Sequence, residues 1–181
     1  MKYLIFILLL LKLSTGFSQI DYNIPKIYFD SLITESRVGG INLGDDFIDL
    51  INRYDFIEDY NEFYLKINDK LILSIWTQDQ KTISGITVYS SEFKTKDNLH
   101  VGLEISNVLK IYPNLKINLS EETTEEYFSI GKYFETNDNA FLIYLTSSTG
   151  KKLGQYNSID FGPKSDNFEK EGRIEKIEIF K

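Results

Sequence analysis

Ile41-Asn42-Leu43-Gly44-Asp45-Asp46-Phe47-Ile48-Asp49-Leu50-Ile51-Asn52-Arg53-Tyr54 decides the reading of the fold, because its pattern occurs twice. Displaced by 58 positions, it meets Leu99-His100-Val101-Gly102-Leu103-Glu104-Ile105-Ser106-Asn107-Val108-Leu109-Lys110-Ile111-Tyr112. Gly44 falls on Gly102 and Tyr54 on Tyr112, and apolar residues coincide at 41/99, 43/101, 47/105, 50/108 and 51/109. Phe47, Ile48, Leu50 and Ile51 recur at the 3–4 spacing of one helix face. Asp45 stands where an N-cap carboxylate would accept from the free amides of the first turn and meet the positive end of the helix dipole. The pattern predicts short amphipathic helices over about 46–54 and 103–112, the second stopped by Pro113. Leu103 replaces Asp45 in the second copy, which loosens that helix start.

Alternating runs follow each helix. Phe63 to Ile67, Leu71 to Thr77 and Ile83 to Tyr89 read as three strands joined by turns at Asn68-Asp69-Lys70 and Gln78 to Lys81. After the second helix, Leu115 to Leu119, Tyr127 to Ile130 and Phe141 to Leu145 read as strands. Ser147 to Gly172 reads as a polar insertion with a possible strand at Gln155 to Phe161. The closing run Ile174-Glu175-Lys176-Ile177-Glu178-Ile179 echoes Ile83-Ser84-Gly85-Ile86-Thr87-Val88. The expected fold is α+β: two tandem helix-plus-β-meander repeats share an antiparallel sheet, with the helices on one face. Residues 38–94 form the first repeat and 95–181 the second, with insertion 147–172. A lead-in over 19–37, with Ile27, Phe29 and Leu32/Ile33 as its apolar residues, fits a strand or a helix start equally well.

The first eighteen residues read as a secretory signal peptide. Met1-Lys2 gives a positive start, Tyr3 to Leu11 an apolar run, and Gly16-Phe17-Ser18 a small-residue cleavage site. The run is far short of the roughly 20 residues of a spanning helix, so no transmembrane segment is expected in the mature chain. The expected location is periplasmic or secreted. Loss of Lys2 and Lys12 with the leader takes the formal net charge from −7 to −9. Such acidity argues against a nucleic-acid partner, which needs clustered Lys and Arg, and favours a basic surface on any partner. The chain has no Cys, which excludes thiolate metal sites, cysteine nucleophiles and disulfides.

The glycine, the capping position and the amphipathic helix before a meander, given twice, resemble the β-lactamase inhibitory protein architecture. The single unit also looks like the small outer-membrane assembly lipoproteins of Gram-negative envelopes. Gly44-Asp45 with Leu50 and Tyr54, and Gly102 with Val108 and Tyr112, carry the resemblance. It implies protein binding by a concave sheet rather than catalysis. The inhibitors are typically held by disulfides and the lipoproteins carry a lipidated Cys, so their particular activities do not transfer to this Cys-free chain.

No phosphate-binding loop, dinucleotide fingerprint, nucleophile elbow or zinc-protease helix occurs. His100 is the sole histidine and belongs to the turn before Gly102. Asp45, Asp46 and Asp49 lack the further oxygen ligands of a Ca²⁺ loop, and no metal or cofactor is expected. Glu121, Glu122, Glu125 and Glu126 form an acidic stretch that a hydrolase of envelope polymers could use if paired across a pocket. The sheet face away from the helices is the better candidate. If Leu71/Leu73/Ile75, Ile86/Val88, Phe141/Ile143/Leu145 and Ile177/Ile179 face inward, alternation sends Tyr64, Trp76, Tyr89 and Tyr144 outward with Ile72, Leu142, Lys66 and Lys176. Tyr and Trp dominate binding hot spots because they combine large area with polar tips, whereas ordinary cross-strand aromatic pairing would use the same residues structurally. The readings carried forward are an exported, non-enzymatic module binding an envelope or extracellular protein, the hydrolase, and a self-associating structural protein. If the leader is real, protein recovered from an export-competent Gram-negative host begins at Gln19 by intact mass spectrometry. Quantitative retention of Met1 would remove the assignment.

Overall fold

The computed structural model describes residues 30–59, 61–130, 139–156, 164–169 and 171–181. The expected signal peptide, Ile27, Phe29 and most of the strand expected at Gln155 to Phe161 lie outside the described residues. In chain order the elements are β1 (Leu32–Thr34), β2 (Arg37–Val38), β3 (Ile41–Asn42), α1 (Phe47–Ile51), β4 (Phe56–Asp59), β5 (Glu62–Ile67), β6 (Lys70–Trp76), β7 (Gly85–Val88) and β8 (Lys94–Thr95). Then come α2 (Ile105–Ile111), β9 (Ile117–Leu119), β10 (Glu126–Ser129), β11 (Ala140–Ser147), β12 (Lys164–Ser165) and β13 (Gly172–Phe180).

The expected α+β class is corrected: the protein is mostly β, with 45% strand and 9% helix among the described residues. Nine strands make one sheet in the order β12-β9-β10-β11-β13-β7-β6-β5-β4, and four make a second in the order β3-β2-β1-β8. The two helices among the described residues span five and seven residues, shorter than the spacing suggested. Helical periodicity ran on through Asn52 to Tyr54, but the chain turns there and Phe56–Asp59 pairs with β5 as an edge strand. Helices this short cannot cover nine strands, and the small sheet supplies the rest. Ile33, Val38 and Ile41 of the small sheet join Phe47 and Leu50 of α1 and Ile105 and Val108 of α2 in one buried cluster. That cluster also takes in Leu73, Ile75, Ile86, Val88, Ile143, Ile177 and Ile179 from the large sheet.

The two glycine turns are built alike. Gly44 and Gly102 have φ of 88° and 86°. The Gly44 N–H donates to Ile83 O at 2.8 Å and Ile83 returns one to Asp45 O at 3.0 Å. The Gly102 N–H donates to Ile174 O at 2.8 Å and Ile174 returns one to Leu103 O at 2.9 Å. The N-caps lie one residue later than expected. Asp46, not Asp45, accepts from Asp49 N, while Asp45 accepts from the Asn42 backbone at 2.8 Å. Glu104 caps α2 with no side-chain hydrogen bond. The His100 ring Nδ1 lies 2.9 Å from Val101 O, inside the second turn.

Two bulges adjust the pattern. Leu65 pairs with Leu73 but Lys66 pairs with Leu71, so Ile72 is the extra residue. Ile72 therefore turns into the core and Leu71 does not, the reverse of strict alternation. On β13, Tyr144 pairs with Lys176 and Leu145 with Ile174, which leaves Glu175 extra. This bulge lets Ile174 and Ile177, three apart, both stay buried. Part of the insertion packs back on the sheet. Lys164–Ser165 adds a strand beside β9. The buried Glu126 carboxylate accepts from Leu153 N at 2.7 Å, Gly154 N at 2.7 Å and Tyr156 Oη at 2.8 Å.

Both turn glycines hold a backbone conformation that costs a side chain on the order of 1–3 kcal/mol. Urea unfolding of Gly44→Ala and Gly102→Ala is expected to show losses of about that size. Gly40→Ala, where φ is ordinary and nothing lies within 4 Å of an added Cβ, is expected to stay within about 0.5 kcal/mol of wild type.

Candidate functional site: the outer face of the large sheet

Strand register places the residues that alternation singled out. Tyr64 pairs with Ser74, Ser74 with Thr87 and Thr87 with Glu178. One step along, Glu62 pairs with Trp76, Trp76 with Gly85 and Gly85 with Phe180. On the other side Tyr127 pairs with Tyr144 and Tyr144 with Lys176. These side chains lie on the face opposite the core. Tyr89 follows two residues after Thr87, and its hydroxyl lies beside Ser74 and within electrostatic reach of Lys176, Glu62 and Glu178. The structure thus gathers Tyr64, Trp76, Tyr89 and Tyr144 on one surface, each partly exposed.

The centre of this face is floored by small polar side chains. Ser74 is fully buried and Thr87 is 4% exposed. The Trp76 indole lies over Gly85 so closely that a Cβ there would collide with it, and its centroid is 6.2 Å from that of Phe180. A glycine inside a strand here marks the close approach of a ring. Ser74 Oγ makes no well-formed hydrogen bond among the described residues, and the Tyr89 hydroxyl is the polar group beside it.

Polar tips link the rings. Tyr144 Oη donates to Glu178 Oε2 at 2.9 Å, and Tyr64 Oη donates to Glu62. Lys176 Nζ sits 2.7 Å from Glu125 Oε1 and 4.3 Å from the centroid of Tyr144. The Tyr127 and Tyr144 centroids are 5.8 Å apart. The hydrogen bond to Glu62, aided by partial burial, pushes the Tyr64 phenol up to about 12. Burial raises Tyr144, and Glu178 adds to the effect. Burial raises Tyr89 as well, with a small opposing effect from Ser74 and Lys176. For Lys176, burial lowers the ammonium's value, but the hydrogen bond and charge of Glu125 outweigh it and the net shift is upward. Burial raises Glu178, and Tyr144, Lys176 and Trp76 offset it only in part.

Alternation alone could have found Ser74, Thr87 and Glu178, since they share the phase of Tyr64 and Trp76. Glu126 was unreadable as anything but one of a run of acids. It is a structural anchor for the insertion, and Glu125 is the partner of Lys176. Among the described residues no group of three His, Cys, Asp or Glu is placed to hold a metal ion. Asp46 is used as a cap and Asp49 pairs with Arg53. A cavity of about 750 Å³ opens near Ile111, Tyr112, Leu115 and Phe128, with Lys116 and Lys164, both exposed, as its charged lining groups. Tyr127, the cross-strand partner of Tyr144, also lines it.

No protein-family model matches the chain, and no curated protein matches it in sequence. Among solved structures, the chain is similar to the uncharacterized protein yfeY from Escherichia coli, with a TM-score of 0.54 and 15% identity over 82% of this chain and 99% of that one. That likeness shows a shared fold. A second match is an extracellular protein containing a SCP domain from Bacillus anthracis, with a TM-score of 0.33 and 12% identity over 76% of this chain and 43% of that one. This chain therefore spans less than half of the second protein. Neither is described as a β-lactamase inhibitory protein or an assembly lipoprotein. No helix among the described residues is long and apolar enough to cross a membrane.

The Glu178 shift has a defined sign. A carboxyl held higher in the folded than in the unfolded chain favours folding at low pH, and that contribution is lost as pH rises past the ordinary 4.5 toward its folded value. Glu178→Gln keeps an acceptor for Tyr144 without the buried charge. It is expected to unfold at higher denaturant than wild type at pH 7. The advantage should disappear below pH 4.5, and a variant less stable than wild type at pH 7 would contradict the assignment.

Proposed function

We propose that this is an exported, non-enzymatic module that binds a partner protein with the outer face of its large sheet. The observation that carries the reading is the convergence of Tyr64, Trp76, Tyr89 and Tyr144 on one partly exposed surface, over a floor of Ser74, Gly85 and Thr87. Rings with polar tips over a small-residue floor give contact area at little conformational cost, as hot-spot residues do. The polymer-hydrolase alternative loses support at its own residues. Glu125 is paired with Lys176, and Glu126 is occupied by the insertion's backbone. Neither is placed as a free acid beside a second one.

The test removes surface without touching the core. Tyr64→Ala combined with Trp76→Ala is expected to abolish retention of a specific protein from an envelope extract while the far-UV circular dichroism stays that of wild type. Retention unchanged in the folded double variant would overturn the reading. Sedimentation of wild type as a dimer that the double variant dissolves into monomers would replace it with self-association.

A further inference from the structure

The outer face holds two cradles of the same kind. In one, the Lys176 ammonium lies over the Tyr144 ring and against the Glu125 carboxylate. A ring face on one side and a carboxylate on the other is how proteins hold an organic cation. The second cradle adjoins it. Tyr64, Trp76 and Tyr89 supply the rings, and Glu62 and Glu178 supply the carboxylates, which lie close enough for Glu62 to act electrostatically on Glu178. Among the described residues, no lysine or arginine stands at ion-pair distance from either carboxylate. Among the described residues the ion pairs are Arg37–Asp30, Arg53–Asp49 and Lys176–Glu125, and Lys176 acts on Glu178 only electrostatically, from beyond ion-pair distance. The floor also holds the fully buried, unpartnered Ser74 hydroxyl. A half-buried carboxylate with no ion-pair partner of its own works against stability, and a buried hydroxyl left unpaired does so too. Features that oppose folding at one place on a surface mark a site with another use.

We infer that the second cradle receives an arginine side chain of a partner polypeptide, its guanidinium stacked on the Trp76–Tyr64 rings and its N–H groups directed to Glu62 and Glu178. This rests on the protein-binding reading and names the chemistry of the partner. A guanidinium suits the site better than an ammonium, because it is planar, weakly hydrated and presents several donors to two separate carboxylates at once. The formal charge of −7 on the whole chain draws a basic segment toward the face.

Trp76 is the sole tryptophan, so its fluorescence reports the site directly. The full chain is titrated with an acetylated, amidated tripeptide centred on arginine, and with its citrulline counterpart, which keeps the shape and loses the charge. The expected result is a saturable change with the arginine peptide in the millimolar range and binding about fivefold or more weaker for citrulline. Glu62→Gln and Glu178→Gln are each expected to weaken the arginine peptide by about fivefold, with near-ultraviolet circular dichroism confirming intact packing. Equal response to citrulline, or unchanged affinity in both folded variants, overturns the inference. A response to chito-oligosaccharides but not to the arginine peptide overturns it in favour of a carbohydrate. Envelope capture that is lost in the Tyr64→Ala/Trp76→Ala protein but kept in both Gln variants overturns the arginine assignment alone and leaves protein binding standing.

Discussion

Two reciprocal pairs of backbone hydrogen bonds hold the large sheet in place. Gly44 and Asp45 exchange bonds with Ile83, and Gly102 and Leu103 exchange bonds with Ile174. Each pair ties the entry of a short helix to the start of a strand that arrives after a meander. Once these ties form, α1 and α2 must lie over the sheet with Phe47, Leu50, Ile105 and Val108 inward. The positive φ at each glycine makes the geometry possible, and only a residue without a Cβ adopts it freely. The acids near the first glycine are secondary. Asp46 caps a helix, while the equivalent Glu104 makes no side-chain cap bond, and the turn forms in both places.

Much of the sheet was legible because its strands alternate. Leu65, Leu73, Ile75, Ile86, Val88, Ile143, Ile177 and Ile179 are buried as their spacing says, and the same arithmetic placed Tyr64, Trp76 and Tyr144 outside. What failed did so for local reasons. A bulge is one inserted residue and leaves no mark in a pattern of apolar side chains, so Leu71 and Ile72 exchanged sides. The edge strand β4 has only one face against the core and carries Glu58 and Asp59, so no apolar alternation marked it as a strand. The small sheet is made of two- and three-residue strands, too short for any periodicity to declare itself. The helices were overestimated because apolar spacing says which face is buried and not how far the backbone stays helical. Together these errors turned a mostly β protein into an α+β one.

Glu126 and Glu178 show how one residue type takes opposite roles. Three donors surround Glu126, two of them backbone amides from the insertion. Its charge is spent on holding a polar segment to the sheet. Glu178 has the Tyr144 phenol and the Trp76 indole to offset its burial, and they do so only in part. A carboxylate saturated by amides is architecture, whereas one left partly satisfied on an accessible face keeps capacity for another donor. Sequence position distinguishes neither, since each has another glutamate close by in the chain, Glu125 and Glu175.

The place of β13 has a consequence for how the molecule can be assembled. It is the latest of the described strands in chain order, yet it lies at the centre of the large sheet between β7 and β11. Chain emerging in order from its N-terminal side therefore presents β7 and β11 with bare inner edges for as long as the intervening segments take to appear. The sheet is closed from its middle, by a strand that zips two finished pieces together, rather than grown outward by adding to an edge. The earlier meander has to tolerate an unpaired Gly85–Val88 border during that interval, and Gly85 with the indole folded across it makes that border a poor template for a wrong strand.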